Sequence, residues 1–173
     1  KDLTHRLMTL SKGSGVYKKL RSVNDSLEIC AAEITGFSNC VCNVVIEEGL
    51  WPAEHDSSQL KYAIRNVLRN GVEAMVDGGA LSLKAENLVV SRGQITPNLQ
   101  GSSGEYLKIS VSDHGMGIPV ANLGKIFDPY FSTKEMGADK GMGLGLTIAH
   151  AIVLKHDGHI AVDSNPGTGT TVK

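Results

Sequence analysis

The sequence predicts an α+β sandwich in which helices cover one face of a mixed sheet. One observation is the helical spacing of apolar residues between Leu60 and Met75, and a second is the alternation of Cys40, Cys42, Val44 and Ile46 with other residues. A third is the succession of strand-like segments near residues 81–90 and 107–111, which suits a hairpin. At 173 residues the chain is long enough for one ordinary domain with a single core.

Composition excludes several classes of protein. Apolar residues make up 41% and charged residues 20% of the chain, as in a folded globular domain. No apolar run approaches the roughly 20 residues that span a bilayer, and the start at Lys1 has no signal-like stretch, so we expect a soluble, cytoplasmic fragment. A net charge of −1 argues against a broad nucleic-acid surface. Three cysteines without a CxxC pair indicate reduced thiols, and 20 glycines indicate a region that needs bare backbone.

The first third of the chain divides into a short helical segment, a linker and the start of a domain. Leu3, Leu7 and Leu10 form one stripe of a helix over residues 1–12, too short to be stable alone, so it resembles the tail of a longer helix. Residues 13–23 are predicted to be a linker, and the main domain to run over residues 24–173. Asn24 or Asp25 is predicted to cap a helix that ends near Thr35.

The middle of the chain alternates strands with one long helix. A strand is predicted at Cys40–Ile46 and a short one at 51–54. The longest helix is predicted to begin at 56–58 and to end near 77–79, followed by strands at 81–90 and 107–111 that are joined by a solvated loop.

The last third begins with a glycine-rich stretch at 113–143. It leads into an apolar helix predicted at 144–156, and strands near 159–163 and 168–172 close the chain.

Three polar side chains share one stripe of the long helix. At 100° per residue Asn66, Asn70 and Glu73 lie within about 60° of one another, opposite the apolar face. Asparagine is a poor helix former, so two of them one turn apart favour a function, and an amide oxygen can ligate a hard cation beside phosphate oxygens. A plain solvated face is an equally good interpretation of this stripe taken alone.

Asp113 has the same strand parity as Leu107, Ile109 and Val111, which points its carboxylate to the apolar side. Such a carboxylate needs donors and could accept a hydrogen bond from an exocyclic amine such as that of adenine. Gly115 and Gly117 follow, and a tight turn capped by the aspartate explains the pattern equally well.

A third group of residues is typical of anion binding. The segment from Gly141 to Leu146 places bare backbone amides at the start of the last helix, without the Walker or dinucleotide signature. Lys134 and Lys140 lie nearby and can supply positive charge, although each alone is an ordinary surface lysine.

Together these segments resemble the catalytic and ATP-binding domain of sensor histidine kinases, in the superfamily that includes gyrase, heat-shock chaperone and mismatch-repair ATPases. The resemblance covers about residues 24–173 and is carried by five blocks in the family order. They are Asn66 to Ala74, Asp113 to Gly117, Phe127 to Lys134, Gly141 to Leu146, and Gly167 to Thr170. Glu73 makes it most similar to the nitrogen-regulation type, and residues 1–12 resemble the end of the second dimerisation helix.

The resemblance implies a Bergerat ATP-binding fold with a mostly antiparallel sheet, and it implies roles for named residues. Asp113 would bind the adenine amine, Asn70 would ligate Mg²⁺, and Asn66 and Lys134 would act at the phosphates. Phe127 and Phe131 would anchor the segment that touches the dimerisation helices, or simply pack in the core. The remaining implied contacts to ATP are Glu73, Gly115, Gly117, Ile118, Phe127, Lys140, Gly141, Met142, Gly143, Leu144, Gly145, Leu146 and Thr170.

The implied function is transfer of the ATP γ-phosphate to a histidine of the dimerisation and phosphotransfer domain, which is followed by a response regulator. The parent protein would be a homodimer that binds ATP and ADP and no nucleic acid. His5 does not match the acceptor pattern, so the acceptor histidine is expected outside this chain. The alternative is an ATP-binding or ATPase module of the same superfamily without kinase activity. Asn66 argues against it, because an amide cannot serve as the general base for water.

Overall fold

The computed structural model describes residues 15–91, 103–133 and 143–173. The helices are α1 (Asn24–Phe37), α2 (Ser57–Ala74), α3 (Val120–Leu123) and α4 (Gly145–Lys155). The strands are β1 (Lys19–Arg21), β2 (Cys40–Ile46), β3 (Ala53–His55), β4 (Gly79–Val90), β5 (Gly104–Asp113), β6 (Val162–Asn165) and β7 (Gly169–Val172).

Five strands form one mixed sheet in the order β2-β4-β5-β7-β6, and β1 pairs with β3 in a separate ribbon. Only the β2–β4 pair in the main sheet is parallel; the other three pairs are antiparallel. The structure therefore confirms the predicted mixed, mostly antiparallel sheet. The register that matters for function pairs Val111 with Val172 and Asp113 with Thr170.

The core lies between the sheet and the helices on its one covered face. Leu81, Leu83 and Ala85 of β4 are fully buried against Leu68 of α2 and Ile148 of α4. Because side chains alternate along a strand, the opposite face of β4 carries the intervening polar residues. The two-layer arrangement predicted from the alternation is confirmed.

Asp56 fixes the start of α2. Its Oδ1 accepts hydrogen bonds from the backbone N–H groups of Ser58 and Gln59, at 3.0 and 3.2 Å, and Oδ2 accepts one from Tyr17 N at 3.3 Å. The Asp56 N–H in turn donates to Nε2 of His156, just beyond the end of α4, at 3.0 Å. One residue thus joins the segment before β1, the start of α2 and the end of α4.

Four local predictions differ from the structure. The residue before α1 is Val23, and neither Asn24 nor Asp25 caps the helix; Ser22 Oγ accepts from Asn24 N instead. The helix α2 ends at Ala74, earlier than predicted, because the backbone turns at Met75. The short strand expected at 51–54 is β3, slightly later in the chain, and the strand expected at 159–163 is β6, also later. The strand β1 and the helix α3 were not predicted, and β1 lies inside the expected linker.

Within the described parts of the chain, none of the helices has the length and apolar character needed to cross a membrane. All three cysteines, Cys30, Cys40 and Cys42, are free thiols. Burial raises the pKa of the Cys30 thiol to about 11, so it packs as a small apolar side chain.

Replacement of Asp56 tests the cap of α2. We expect Asp56→Ala to lower the free energy of unfolding by about 1–2 kcal/mol, because two helix N–H groups lose their acceptor. Burial acts to raise the pKa of Asp56, but the three backbone donors outweigh it and lower the pKa. The stabilisation is therefore present above the unfolded pKa, near 4, and is lost as the pH falls below it. Urea unfolding at pH 7 and pH 3 measures both effects.

The matched control is Asp157→Ala, which removes an exposed carboxylate paired with Lys18 in the same region. An equal loss in both variants would contradict the assignment of the cap to Asp56.

Candidate active site

A cavity of about 490 Å³ lies between α2, the ends of β5 and β7, and the start of α4. Its lining is apolar at the strands, where Val111 and Val172 face it, and polar along α2. The segment 116–133 closes a further side through Met116, Ile118 and Phe131, among others. The cavity therefore has one end built by strands and one end built by two helices.

Asp113 lies at the strand end of the cavity. Its Oδ1 accepts hydrogen bonds from Gly115 N at 2.9 Å and from Thr170 N at 3.2 Å, whereas Oδ2 has no partner within the described residues. Burial raises the pKa of this carboxyl group, and the two N–H donors only partly oppose the effect. Oδ1 thus links the turn after β5 to β7, and Oδ2 is available to a ligand.

Two glycines allow the backbone to close around Asp113. Gly117 has φ +69°, and a Cβ there would lie 2.2 Å from Asn165 O. Gly169 has φ +116°, and a Cβ there would lie 2.0 Å from Asp113 O. Any side chain at either position would push the turn away from β6 or β7. The glycines therefore set the shape of the strand end.

The polar stripe of α2 faces the cavity and not the solvent. Asn66 donates from Nδ2 to Tyr62 O at 2.9 Å, which leaves Oδ1 turned toward the start of α4. A Cβ built on Gly145 would lie 3.4 Å from Asn66 Oδ1 and 3.6 Å from Asn70 Oδ1. The side-chain amide of Asn70 has no hydrogen-bond partner in the described structure. Two amide oxygens thus converge on one helix end.

That helix end is suited to an anion. The residue before α4 is Leu144, whose side chain cannot cap it, so the cap position itself supplies no side-chain acceptor to the N–H groups of the first turn. The helix dipole adds partial positive charge at the same point.

Charged side chains are few. Among the described residues that line the cavity, Arg69 is the only cation, and its Nε donates to Glu73 Oε1 at 3.0 Å. Glu73 and Asp113 are the two carboxylates. No group of three or more His, Cys, Asp or Glu side chains that could hold a metal occurs in residues 15–91, 103–133 or 143–173. Amide oxygens combined with ligand phosphate oxygens still suit Mg²⁺, which needs few protein ligands.

The structure brings most of the predicted site residues to this cavity. Those that line it are Asn66, Asn70, Glu73, Asp113, Gly117, Ile118, Gly143, Leu144, Gly145, Leu146 and Thr170. Lys134, Lys140, Gly141 and Met142 lie outside the described residues.

Two of the predicted ATP contacts lie outside the lining of the cavity. Gly115 does not line the cavity, because it packs against α2, where a Cβ would lie 2.5 Å from Ala74 O. Its contribution is the N–H that binds Asp113. Phe127 is also outside the cavity: its ring packs on His150 of α4, with centroids 4.8 Å apart and planes tilted by 37°. For Phe127 the packing interpretation is the one that the geometry favours.

Sequence reasoning missed several lining residues. Val111 and Val172 could have been found, because they share strand parity with Asp113 and Thr170. Arg69 could have been found from its place on the helix, about 60° from Asn66. Met116 lies inside the block Asp113 to Gly117 but was given no role. Asn122 and Val162 had no local signal, since long-range strand pairing and the path of the 116–133 segment bring them to the cavity.

The comparisons with known proteins agree on a class. Residues 55–173 match the family described as histidine kinase-, DNA gyrase B- and HSP90-like ATPase. The chain is 37% identical over 124 residues to the sensor kinase CckA of Brucella abortus (strain 2308), covering 72% of this chain and 13% of that protein. It is 30% identical over 169 residues to sporulation kinase C of Bacillus subtilis (strain 168), covering 95% of this chain and 35% of that protein. The chain thus spans only a minor part of these two relatives.

Solved structures show the same fold. The mycobacterial sensor histidine kinase MprB superposes with a TM-score of 0.69 at 24% identity, over 90% of this chain and 93% of that one. Full-length ShkA, solved in complex with AMPPNP, superposes with a TM-score of 0.76 at 18% identity, over 99% of this chain and 33% of that one. At these identities the likeness establishes the fold alone.

The strand-end aspartate, the amide stripe and the open helix end together define a domain of the ATPase class, and the chain belongs to the histidine kinase-, DNA gyrase B- and HSP90-like ATPase family. Within that family, its relatives CckA and sporulation kinase C are a sensor kinase and a sporulation kinase.

Two substitutions test how the hydrogen bonds and the buried charge of Asp113 contribute to stability. Asp113→Ala leaves the N–H groups of Gly115 and Thr170 without an acceptor, so we expect a loss of about 1–3 kcal/mol in the free energy of unfolding. Asp113→Asn keeps one acceptor oxygen and removes a charge whose burial is unfavourable. Because the folded pKa of Asp113 is raised, ionisation weakens stability as the pH rises through that pKa.

The Asp113→Asn variant should therefore be at least as stable as the wild type at pH 7, and this difference in the free energy of unfolding should vanish in acid. Thermal unfolding of the ligand-free chain at pH 7 and pH 3.5 measures this. Equal destabilisation by Ala and Asn at pH 7 would contradict it.

Proposed function

We propose that this chain is the ATP-binding catalytic domain of a sensor histidine kinase, which transfers the γ-phosphate of ATP to a histidine of its own dimerisation domain. The proposal rests on one observation, which is that a single cavity has two ends of different chemistry. A half-buried carboxylate with a free oxygen lies at the strand end, and two amide oxygens face an uncapped helix start at the other.

The strand end suits adenine. The apolar side chains of Val111 and Val172 provide flat surface for a base, and Asp113 Oδ2 provides an acceptor for an exocyclic amine. Guanine presents a carbonyl oxygen where adenine presents its amine, so the carboxylate disfavours it. Thr170 and Gly117 complete the wall beside this contact.

The helix end suits phosphates. The first-turn N–H groups of α4 can donate to an anion, and the amide oxygen that Asn66 turns toward the same point suits a cation bound beside that anion. Asn70 is the proposed ligand of Mg²⁺, which when bound neutralises phosphate charge. Lys134 and Lys140, which lie outside the described residues, are proposed to contact phosphates as well.

The chemistry is proposed to be positioning and charge neutralisation, as in phosphoryl transfer generally. The cavity holds the adenine end, and the helix end directs the terminal phosphate outward to an incoming imidazole. Hydrolysis by water is disfavoured, because Asn66 cannot accept a proton from it.

The remaining assignments rest on the resemblance. Residues 1–12 are proposed to be the tail of the second dimerisation helix and residues 24–173 the catalytic domain. The parent protein is proposed to be a homodimer of the nitrogen-regulation type, with its catalytic domain in the cytoplasm, that serves a response regulator.

Substitution of Asn70 tests the metal role. We expect Asn70→Ala to remove most of the increase in ATP affinity that Mg²⁺ produces, because the protein ligand is lost. Binding of ADP in the presence of a chelator should change much less. Calorimetry with and without Mg²⁺ measures both, and identical losses in the two conditions would count against the role.

Reconstitution tests the reaction. Incubated with labelled ATP alone, the 173-residue chain should retain no acid-labile phosphate, because the acceptor is expected elsewhere. It should phosphorylate the dimerisation segment of its own protein supplied separately, with ATP as a much better donor than GTP. The variant His5→Ala should behave like the wild type. Phosphohistidine on His5 at a comparable rate would overturn the assignment of the acceptor.

A further inference from the structure

We propose that Arg69 binds the phosphates of the nucleotide through the terminal amino groups of its guanidinium, and that Glu73 holds it in position. Arg69 lies inside the block Asn66 to Ala74, but the sequence analysis gave it no role. The inference rests on the proposed function, since it requires a nucleotide in the cavity.

The first argument is the charge of the cavity. Its described lining contains two carboxylates, Asp113 and Glu73, against the single cation Arg69. A nucleoside di- or triphosphate brings several further negative charges, and the start of α4 supplies only about half an elementary charge. Among the described lining residues, Arg69 is therefore the cation that can offset the charge of a bound polyphosphate.

The second argument is the geometry of the ion pair. Arg69 uses Nε for Glu73, at 3.0 Å, and its two terminal amino groups have no other partner among the described residues. The guanidinium has five N–H donors in a planar fork, and the edge formed by the two amino groups fits two phosphate oxygens at once. The bond to Glu73 thus leaves the phosphate-binding edge free.

The third argument is the presence of Glu73 itself. A carboxylate on the phosphate side of a nucleotide site repels the ligand unless a cation screens it. Its side chain is 29% exposed and that of Arg69 is 58% exposed, so the pair lies at the mouth of the cavity and not in its interior. Glu73 is explained if it restricts the long side chain of Arg69 to one orientation and does not touch the nucleotide.

The position on the helix agrees with this. Arg69 precedes Asn70 directly and lies about 60° around the helix from Asn66. All three residues line the same cavity, so the cation lies beside the two amides that are proposed to act at the phosphates.

The test compares ligands that differ only in the number of their phosphate groups. Affinities of adenosine, AMP, ADP and ATP are measured by calorimetry for the 173-residue chain and for Arg69→Gln, in the presence of a chelator so that Mg²⁺ does not contribute. We expect adenosine to be unchanged within about twofold and ADP and ATP to be weakened about tenfold, as for loss of one charge-assisted contact. Arg69→Lys should recover part of the loss, because it keeps the charge and loses the fork.

Arg65→Gln is the matched control. Arg65 lies one turn earlier on α2, forms an ion pair with Glu33 of α1 through both Nε and a terminal amino group, and does not line the cavity. This variant should lower stability without changing the ratio of ADP to adenosine affinity.

The outcomes separate the two proposals. If the wild-type chain binds neither ADP nor ATP, the proposed function is wrong and the inference with it. If the wild type binds ATP and Arg69→Gln binds it equally well, or loses adenosine and ATP in the same proportion, only the role of Arg69 is overturned.

Discussion

The site depends on how one carboxylate is shared between the fold and the ligand. Asp113 ends β5, and its Oδ1 binds the N–H of Gly115 in the following turn and the N–H of Thr170 in β7. Those two bonds fix the turn that follows β5 and hold it to the distant strand β7 at one point. Without them, neither the strand end of the cavity nor the direction of the free oxygen would be defined. The raised pKa of Asp113 shows the opposing effect of burial on the same group.

The two ends of the cavity are built in different ways. At the strand end, backbone groups and glycines fix the geometry, so side chains contribute mainly apolar surface. At the helix end, side chains of α2 face the open N-terminus of α4, and polarity comes from amides and a helix dipole. A ligand with a flat base and a charged tail matches this division. A net charge of −1 does not conflict with the proposed anion site, since the positive potential at the start of α4 is local.

Features set by contacts between residues close in sequence were predictable, whereas features set by contacts between distant parts of the chain were not. The start of α2 was predictable, because Asp56 caps it through bonds to residues two and three positions away. The inward direction of Asp113 was predictable from strand parity. The strand β1 was not, because three residues with no apolar pattern form it only by pairing with β3. The packing of Phe127 was not predictable for a related reason: its partner His150 is on another element, and no local rule chooses between packing there and facing the cavity. The five motif blocks located most of the site, whereas the apolar wall from β7 required the register of the sheet.

The tight backbone at Gly117 and Gly169 also bears on inhibitor design. Substitutions there would drive a Cβ to within 2.2 and 2.0 Å of carbonyl oxygens on neighbouring segments, so the domain tolerates no larger residue at either point. An inhibitor seated against the backbone at Gly117 and Gly169 would contact positions at which a larger residue displaces a neighbouring segment. One that depended on exposed side chains at the mouth, such as Met116, which is 64% exposed, would be escaped by a single substitution without cost to the fold.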